Sequence, residues 1–257
     1  MQDRPFVRYA VENRVAVITL DRSPVNALSL PMLGEIVAAF RRASADEAAR
    51  AVLLASAIPR RFSAGLDLDI LLGKPQAEVR PFLDRLYVEL ADIQYHLGKP
   101  SIAAVNGAAR GGGMTLSILC DVILAGDGAT FGYPEIDLGL VPAIHFTHLP
   151  TIVGRHRAFE LLFSGRTFDA AEAAGLGLVS RVVPDADLDR EAMALARTFA
   201  SKSPTAMRLG RAAFMRANDA EFRRGVAAAA EHFTYVAGTP DAQEGLRAFV
   251  EKRPPRW

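Results

Sequence analysis

Three glycines in succession, Gly111-Gly112-Gly113, stand where an apolar strand pattern gives way to a helix, and Phe131-Gly132-Tyr133-Pro134-Glu135 follows after a short interval. Glycine lets main-chain N–H groups approach a ligand with no Cβ in the way. Glu135 is a lone carboxyl group set after a glycine and a proline, suited to moving a proton on whatever those N–H groups hold. A second glycine-relaxed turn, Phe62-Ser63-Ala64-Gly65-Leu66-Asp67, also follows a strand pattern. Two such turns offer one N–H each to a single oxygen, which makes an oxyanion site. Nucleotide loops do not fit the run. It contains no G-x-G-x-x-G, and no Gly-Lys-Ser/Thr follows it.

Other reactive residues carry less. His145 and His148 have a spacing that puts both on one helical face, but no glutamate of an H-E-x-x-H pattern lies between them. No metal is expected; packing is the leading reading for the pair, ahead of a contact to substrate. Asp69 and Asp137 lie near the motifs and read as solvent-facing or capping carboxylates. The single Cys120 sits in an apolar stretch and reads as core rather than nucleophile.

Composition narrows the classes. Thirty basic and 29 acidic residues leave a net charge of +1, without the basic stripe of a nucleic-acid binder. No run approaches the ~18 apolar residues needed to cross a bilayer. The first residues, Met1-Gln2-Asp3-Arg4-Pro5, are polar where a signal peptide is apolar, so a cytoplasmic protein without membrane contact is expected.

The elements that must hold these residues alternate. Residues 6–11 and 15–20 read as a hairpin with a polar tip, and Ser29 caps a helix carrying Leu33, Ile36, Val37 and Phe40. Residues 50–57 read as a strand. A long amphipathic helix follows, marked by Val79, Phe82, Leu83, Leu86, Leu90, Ile93 and Leu97 and closed by Gly98 and Pro100. Strands are expected at 101–105, 121–125 and 130–131. From about 143 the pattern is mainly helical, with one short strand at 179–183. The alternation points to an α/β protein, with a core over residues 1–195 and a helical region over 196–257.

Taken together, Phe62-Ser63-Ala64-Gly65-Leu66-Asp67-Leu68, Ala104-Val105-Asn106-Gly107, the glycine triplet and Phe131-Gly132-Tyr133-Pro134-Glu135 resemble the enoyl-CoA hydratase/isomerase (crotonase) superfamily. Pro24-Val25-Asn26-Ala27-Leu28, Ala173-Ala174-Gly175-Leu176-Gly177-Leu178-Val179 and the end around Glu244-Gly245, Phe249 and Lys252-Arg253 agree, in the family's order, over essentially the whole chain. The resemblance implies a crotonase-like spiral of ββα units with a C-terminal helical trimerisation region, assembled as a homotrimer or homohexamer. It implies an acyl-CoA thioester as ligand, with coenzyme A part of the substrate and no separate cofactor. The family's oxyanion donors fall on the main-chain N–H groups of Leu66 and Gly112, and its acid–base carboxyl on Glu135. Ala64, Gly65, Asp67, Gly111, Thr115, Phe249 and Lys252 fall on substrate-binding positions.

Departures from the family pattern bear on the chemistry. Hydratases of the family carry a further glutamate two residues after the glycine triplet, where this chain has Thr115, which cannot take up a proton near neutral pH. The segment Pro142-Ala143-Ile144-His145-Phe146-Thr147-His148 replaces a glycine-rich run. Ala143 stands where dienoyl-CoA isomerases place an aspartate. One carboxylate suffices to move a proton from C2 to C4 of a 3-enoyl thioester. The resemblance is therefore nearest to Δ3,Δ2-enoyl-CoA isomerases of fatty-acid breakdown. A single-glutamate enoyl-CoA hydratase and a non-catalytic acyl-CoA-binding protein are the alternatives.

Overall fold

The computed structural model describes residues 5–257, so the polar start at residues 1–4 lies outside it. Strands β1 (Val7–Glu12) and β2 (Val15–Leu20) pair antiparallel through Asn13 and Arg14, both with positive φ, as a tight hairpin turn demands. Helix α1 (Leu30–Ala45) follows, its first turn capped by the Ser29 hydroxyl, which accepts from the Met32 N–H.

Three strand pairs then repeat one plan: β3 (Ala51–Ser56) with β4 (Arg60–Ser63), β5 (Ser101–Val105) with β6 (Gly107–Arg110), and β7 (Val122–Gly126) with β8 (Thr130–Gly132). The first strand of each pair joins one sheet and the second joins another. Late strands β9 (Thr167–Asp169) and β10 (Arg181–Val183) complete a six-stranded sheet, β1-β2-β3-β5-β7-β10, and a four-stranded sheet, β4-β6-β8-β9. Neighbouring pairs run parallel, so each ββα unit is one turn of a spiral. Every residue of β5 is buried, which explains why, after Ser101, it reads as an unbroken apolar run.

Several elements depart from the sequence expectation. The short strands β4 and β6 carry little apolar signal, because arginines and small residues occupy most of their positions. Strand β9, with Phe168 as its one apolar residue, is too short to announce itself; their parallel or antiparallel partners make all three strands. The strand expected at 179–183 shortens to β10. The long helix expected through residues 79–97 is three pieces: α2 (Gln76–Leu83), a wide π-helical turn over Asp84–Glu89, and α3 (Leu90–Tyr95). That wide turn follows Pro81, which has no N–H to donate. Helix α4 (Gly112–Ile118) leaves the glycine run, and a 3₁₀ turn over Pro134–Leu138 leaves β8.

The rest is chiefly helical: α5 (His145–Val153), α6 (Arg155–Ser164), α7 (Ala170–Gly175), α8 (Leu188–Ala200), α9 (Pro204–Asn218), α10 (Ala220–Ala237) and α11 (Pro240–Val250). Residue 196 lies inside α8, whose Ala192, Ala196 and Ala200 share a buried cluster with Leu53 of β3 and Ile102 of β5. Arg211 ties α9 to the spiral. Its guanidinium donates to the Asp121 carboxylate and to the Gln94 and Tyr95 carbonyls. Among the described residues no helix is long and apolar enough to cross a membrane.

Candidate active site

Two glycine turns meet at the mouth of the spiral. The 62–68 turn is held from behind by Asn26, which is fully buried. Its amide donates to the Phe62 carbonyl and the Ser56 hydroxyl, while the Ser63 hydroxyl donates to the Asn26 carbonyl. Main-chain bonds tie Ala64 N–H to Val25, Leu28 N–H to Gly65 and Asp67 N–H to Leu28. The Leu66 N–H, between them, has no acceptor among the described residues. Gly112 opens α4, so its N–H lies before any intrahelical acceptor, and it too is unclaimed.

Glycine is required for the two turns to touch. Gly65 has φ +91°, and a Cβ there would stand 2.8 Å from the Arg110 carbonyl oxygen and 3.2 Å from the Gly112 nitrogen. The two free N–H groups are therefore neighbours. The side chains of Leu28, Leu66 and Leu86 close over Gly112, which supplies apolar walls beside the donors.

Glu135 completes this arrangement. It lies in the 3₁₀ turn after β8, ended by Gly139 in the left-handed region. Gly111 has φ +48°, and its absent Cβ leaves the Glu135 Oε1 room 3.0 Å away from where that carbon would stand. The glutamate is 8% exposed, and its Oε2 has no hydrogen-bond partner. Desolvation pushes its carboxyl up to about 7, with a bond from its own backbone N–H pulling the other way. No cation among the described residues acts on it. A carboxyl that titrates near neutrality can both accept and return a proton.

On the far side of Gly111 the groups are uncharged. Thr115 is buried in α4, and its Oγ1 lies 3.4 Å from Nε2 of His145 on α5. The His145 ring is fully buried and tilts against the Tyr133 ring at 4.5 Å between centroids. His148 follows one turn later at 5.2 Å. Desolvation holds His145 well below the ordinary histidine value, with His148 adding to the effect and the Gly111 carbonyl opposing it. Desolvation likewise lowers His148 to about 4. Both imidazoles are neutral near pH 7.

Of the residues singled out from sequence, the fold brings Gly65, Leu66, Gly111, Gly112, Thr115 and Glu135 together. Asp67 is half-buried and engaged elsewhere: its carboxylate accepts from Arg22 at 2.7 Å and from the Asp69 N–H. It clamps the 22–28 loop to the turn. Ala64 is exposed at the rim, and Phe249 and Lys252 are exposed at the end of α11 and just past it. Asp69 and Asp137 are exposed, so neither replaces the carboxylate that Thr115 displaces. Cys120 is buried and its thiol is pushed up to about 12 by burial.

Sequence reasoning missed Tyr87 and undervalued His145 and Tyr133. Tyr87 is buried in the π-helical turn, where burial and then the Glu135 charge raise its hydroxyl well above the usual value. In sequence it is one member of an apolar helical stripe. His145 is thirty residues from Thr115 and carried only its histidine partner three residues on as a signal.

The sequence and the fold have clear counterparts. The family pattern of enoyl-CoA hydratase/isomerase matches residues 10–257. A probable enoyl-CoA hydratase of Mycobacterium bovis is 37% identical over 254 residues, covering 96% of this chain and 95% of that protein. Mouse mitochondrial methylglutaconyl-CoA hydratase is 35% identical over 265 residues, covering 100% of this chain and 84% of its own length. Among solved structures, an enoyl-CoA hydratase/isomerase from Xanthobacter autotrophicus superposes with a TM-score of 0.86 at 32% identity, covering 96% of this chain and 97% of that one. The chain belongs to the enoyl-CoA hydratase/isomerase family and is an enzyme of the crotonase superfamily with the crotonase fold.

Proposed function

We propose that this enzyme converts 3-enoyl-CoA thioesters to their conjugated 2-enoyl isomers. The observation that carries the reading is the solitary buried carboxyl of Glu135 beside two unclaimed N–H groups, with Thr115 in place of a second carboxylate. The thioester oxygen accepts from the Leu66 and Gly112 N–H groups. Glu135 takes a proton from C2, and the electron pair spreads over the oxygen and C4 as a dienolate. The same carboxyl then delivers the proton to C4, so the double bond moves and no atom is gained or lost. Each preorganised donor is worth roughly 2.7–4 kcal/mol of barrier in comparable sites. The reaction moves one proton and draws on no cofactor.

Coenzyme A is the handle in this reading, with the Ala64–Leu66 main chain at its adenine and Phe249 and Lys252 reaching the nucleotide of their own or a neighbouring subunit. Exposed apolar side chains on the late helices, Leu209, Phe214 and Tyr235, suit a homotrimer or homohexamer.

Hydration of 2-enoyl-CoA is the second reading. The relatives named hydratases favour it, and the Thr115–His145 pair offers two polar atoms to a water. Separate incubations with 3-enoyl-CoA and 2-enoyl-CoA decide between them. Rapid conjugation of the first with negligible water uptake by the second is the expected result. Water addition as the faster reaction overturns the order.

A further inference from the structure

The wall beyond Glu135 is wrong for a plain hydrocarbon. Tyr133 and His145 are both fully buried, yet the Tyr133 Oη and the His145 Nδ1 have no hydrogen-bond partner, and neither has the Nε2 of His148. Buried polar atoms are nearly always paired, and leaving one bare costs about 1–3 kcal/mol. Three such atoms on adjoining rings, His145 touching both Tyr133 and His148, make one polar seat. The seat adjoins the reacting end, because His145 rests on Thr115 and Tyr133 is two residues from Glu135.

We infer that Tyr133 and His145 select acyl-CoA thioesters whose acyl chain carries an uncharged oxygen, a hydroxyl or a carbonyl, beyond C4. This rests on the isomerase reading, since that reading places C2 to C4 over Glu135 and the following carbons toward Tyr133. The required chemistry is donor and acceptor together. A tyrosine hydroxyl supplies both, and a neutral imidazole nitrogen supplies one or the other according to its tautomer.

At Tyr133 and His145 themselves, charge excludes a carboxylate as the occupant. Among the described residues no arginine or lysine acts on Tyr133, Glu135 or His145, and the carboxyl of Glu135 has the same sign as such an occupant. Both histidines are neutral and give an anion no countercharge. Past His148 lies a cavity of about 830 Å³ whose walls mix Phe214, Met215 and Phe222 with Asp219 and Arg223. That lining, too, is not the hydrocarbon sleeve a simple fatty tail needs. A site built to bond an oxygen discriminates strongly against the analogue lacking it, since its own polar atoms are then left bare.

The test compares 3-octenoyl-CoA with derivatives bearing a hydroxyl or oxo group at successive carbons beyond C4, and with a terminal carboxyl analogue of equal length. Initial rates give kcat/KM, and calorimetry on the saturated counterparts gives Kd. The expected result is at least a tenfold preference for one oxygenated member, in rate and in binding. Y133F, which keeps the ring and loses only the hydroxyl, and H145L each bring that ratio down several-fold. Equal handling of hydrocarbon and oxygenated chains overturns the inference and shows that water alone fills the seat. A best ligand with the terminal carboxyl overturns it as well, as does a preference that both variants leave intact. If no thioester is isomerised, the isomerase reading fails, while the Kd ratios still decide the seat.

Discussion

Glu135 and Glu244 carry the same side chain in opposite settings. Burial pushes the Glu135 carboxyl up to about 7, while Arg253, gripping both oxygens at 2.6 and 3.1 Å, and the Arg256 N–H hold that of Glu244 down at about 2. The first has an oxygen with no partner; the second has three donors. A carboxylate fastened by arginine is a permanent anion, fit to pin the C-terminal tail to α11 and little else. One stripped of water and partners keeps its proton affinity near neutrality and can exchange it. Environment, not residue type, assigns the role.

The sharpest break in this contrast is E135Q. In the proposed reaction it removes the carboxyl that moves the C2 proton, so kcat/KM should fall by roughly 10²- to 10⁴-fold, read as initial rates on 3-enoyl-CoA. Near wild-type turnover would end the assignment. Stability should move the other way. The folded value is raised, so the native state binds the proton more tightly than the unfolded chain. Stability is therefore lost as pH climbs from 4.5 through about 7, a cost of up to about 3 kcal/mol at high pH. Thermal melts of E135Q and wild type should converge below pH 4.5 and diverge above it, with the variant the more stable. The pH–rate profile of the wild type should rise through an apparent value near 7, because the working form is the anion.

A smaller effect is expected from G113A, which tests the donors rather than the acid. A Cβ at Gly113 would stand 2.5 Å from the Ser63 carbonyl oxygen and 3.0 Å from the Ser63 Cβ, forcing α4 away from the 62–68 turn. Denaturant melts should show a loss of about 1–3 kcal/mol. Activity should drop further than unfolding explains, since the Leu66 and Gly112 N–H groups separate. Intact kcat in a destabilised protein would mean that the two turns do not act as a pair.

E244Q should change least. The lowered value of Glu244 contributes stability that is present above 4.5 and is lost as pH falls through about 2, the reverse of Glu135. Replacing it should give a slightly lower Tm at neutral pH, a difference that salt shrinks, with kcat/KM unaltered. Equal melts at pH 2 would confirm the sign. An activity loss comparable to that of E135Q would erase the distinction between the two glutamates.

Much of the site was legible along the chain because its parts are local. Gly65, Gly111 and Gly112 announce close backbone approach wherever they are placed, and Glu135 stands out as a carboxyl set after a glycine and a proline just past the short strand β8. The strands β4 and β6 that carry these turns were not legible. Arg60, Arg61, Gly107 and Ala108 have no strand pattern of their own and pair only because the spiral lays one against the next. The π-helical turn was hidden for a related reason: Leu86 and Leu90 keep a helical stripe whether a turn is tight or wide.

The amino-acid order by itself determined that two glycine turns and one glutamate exist, and that a threonine stands where a second acid would. Tertiary structure alone decided that Glu135 is desolvated, that Tyr87 shares its field, and that His145 crosses thirty residues to rest on Thr115. Backbone freedom is a property of a few adjacent residues, so sequence reports it. Proton affinity and polar pairing depend on which distant surfaces exclude water from one another, and only packing sets that.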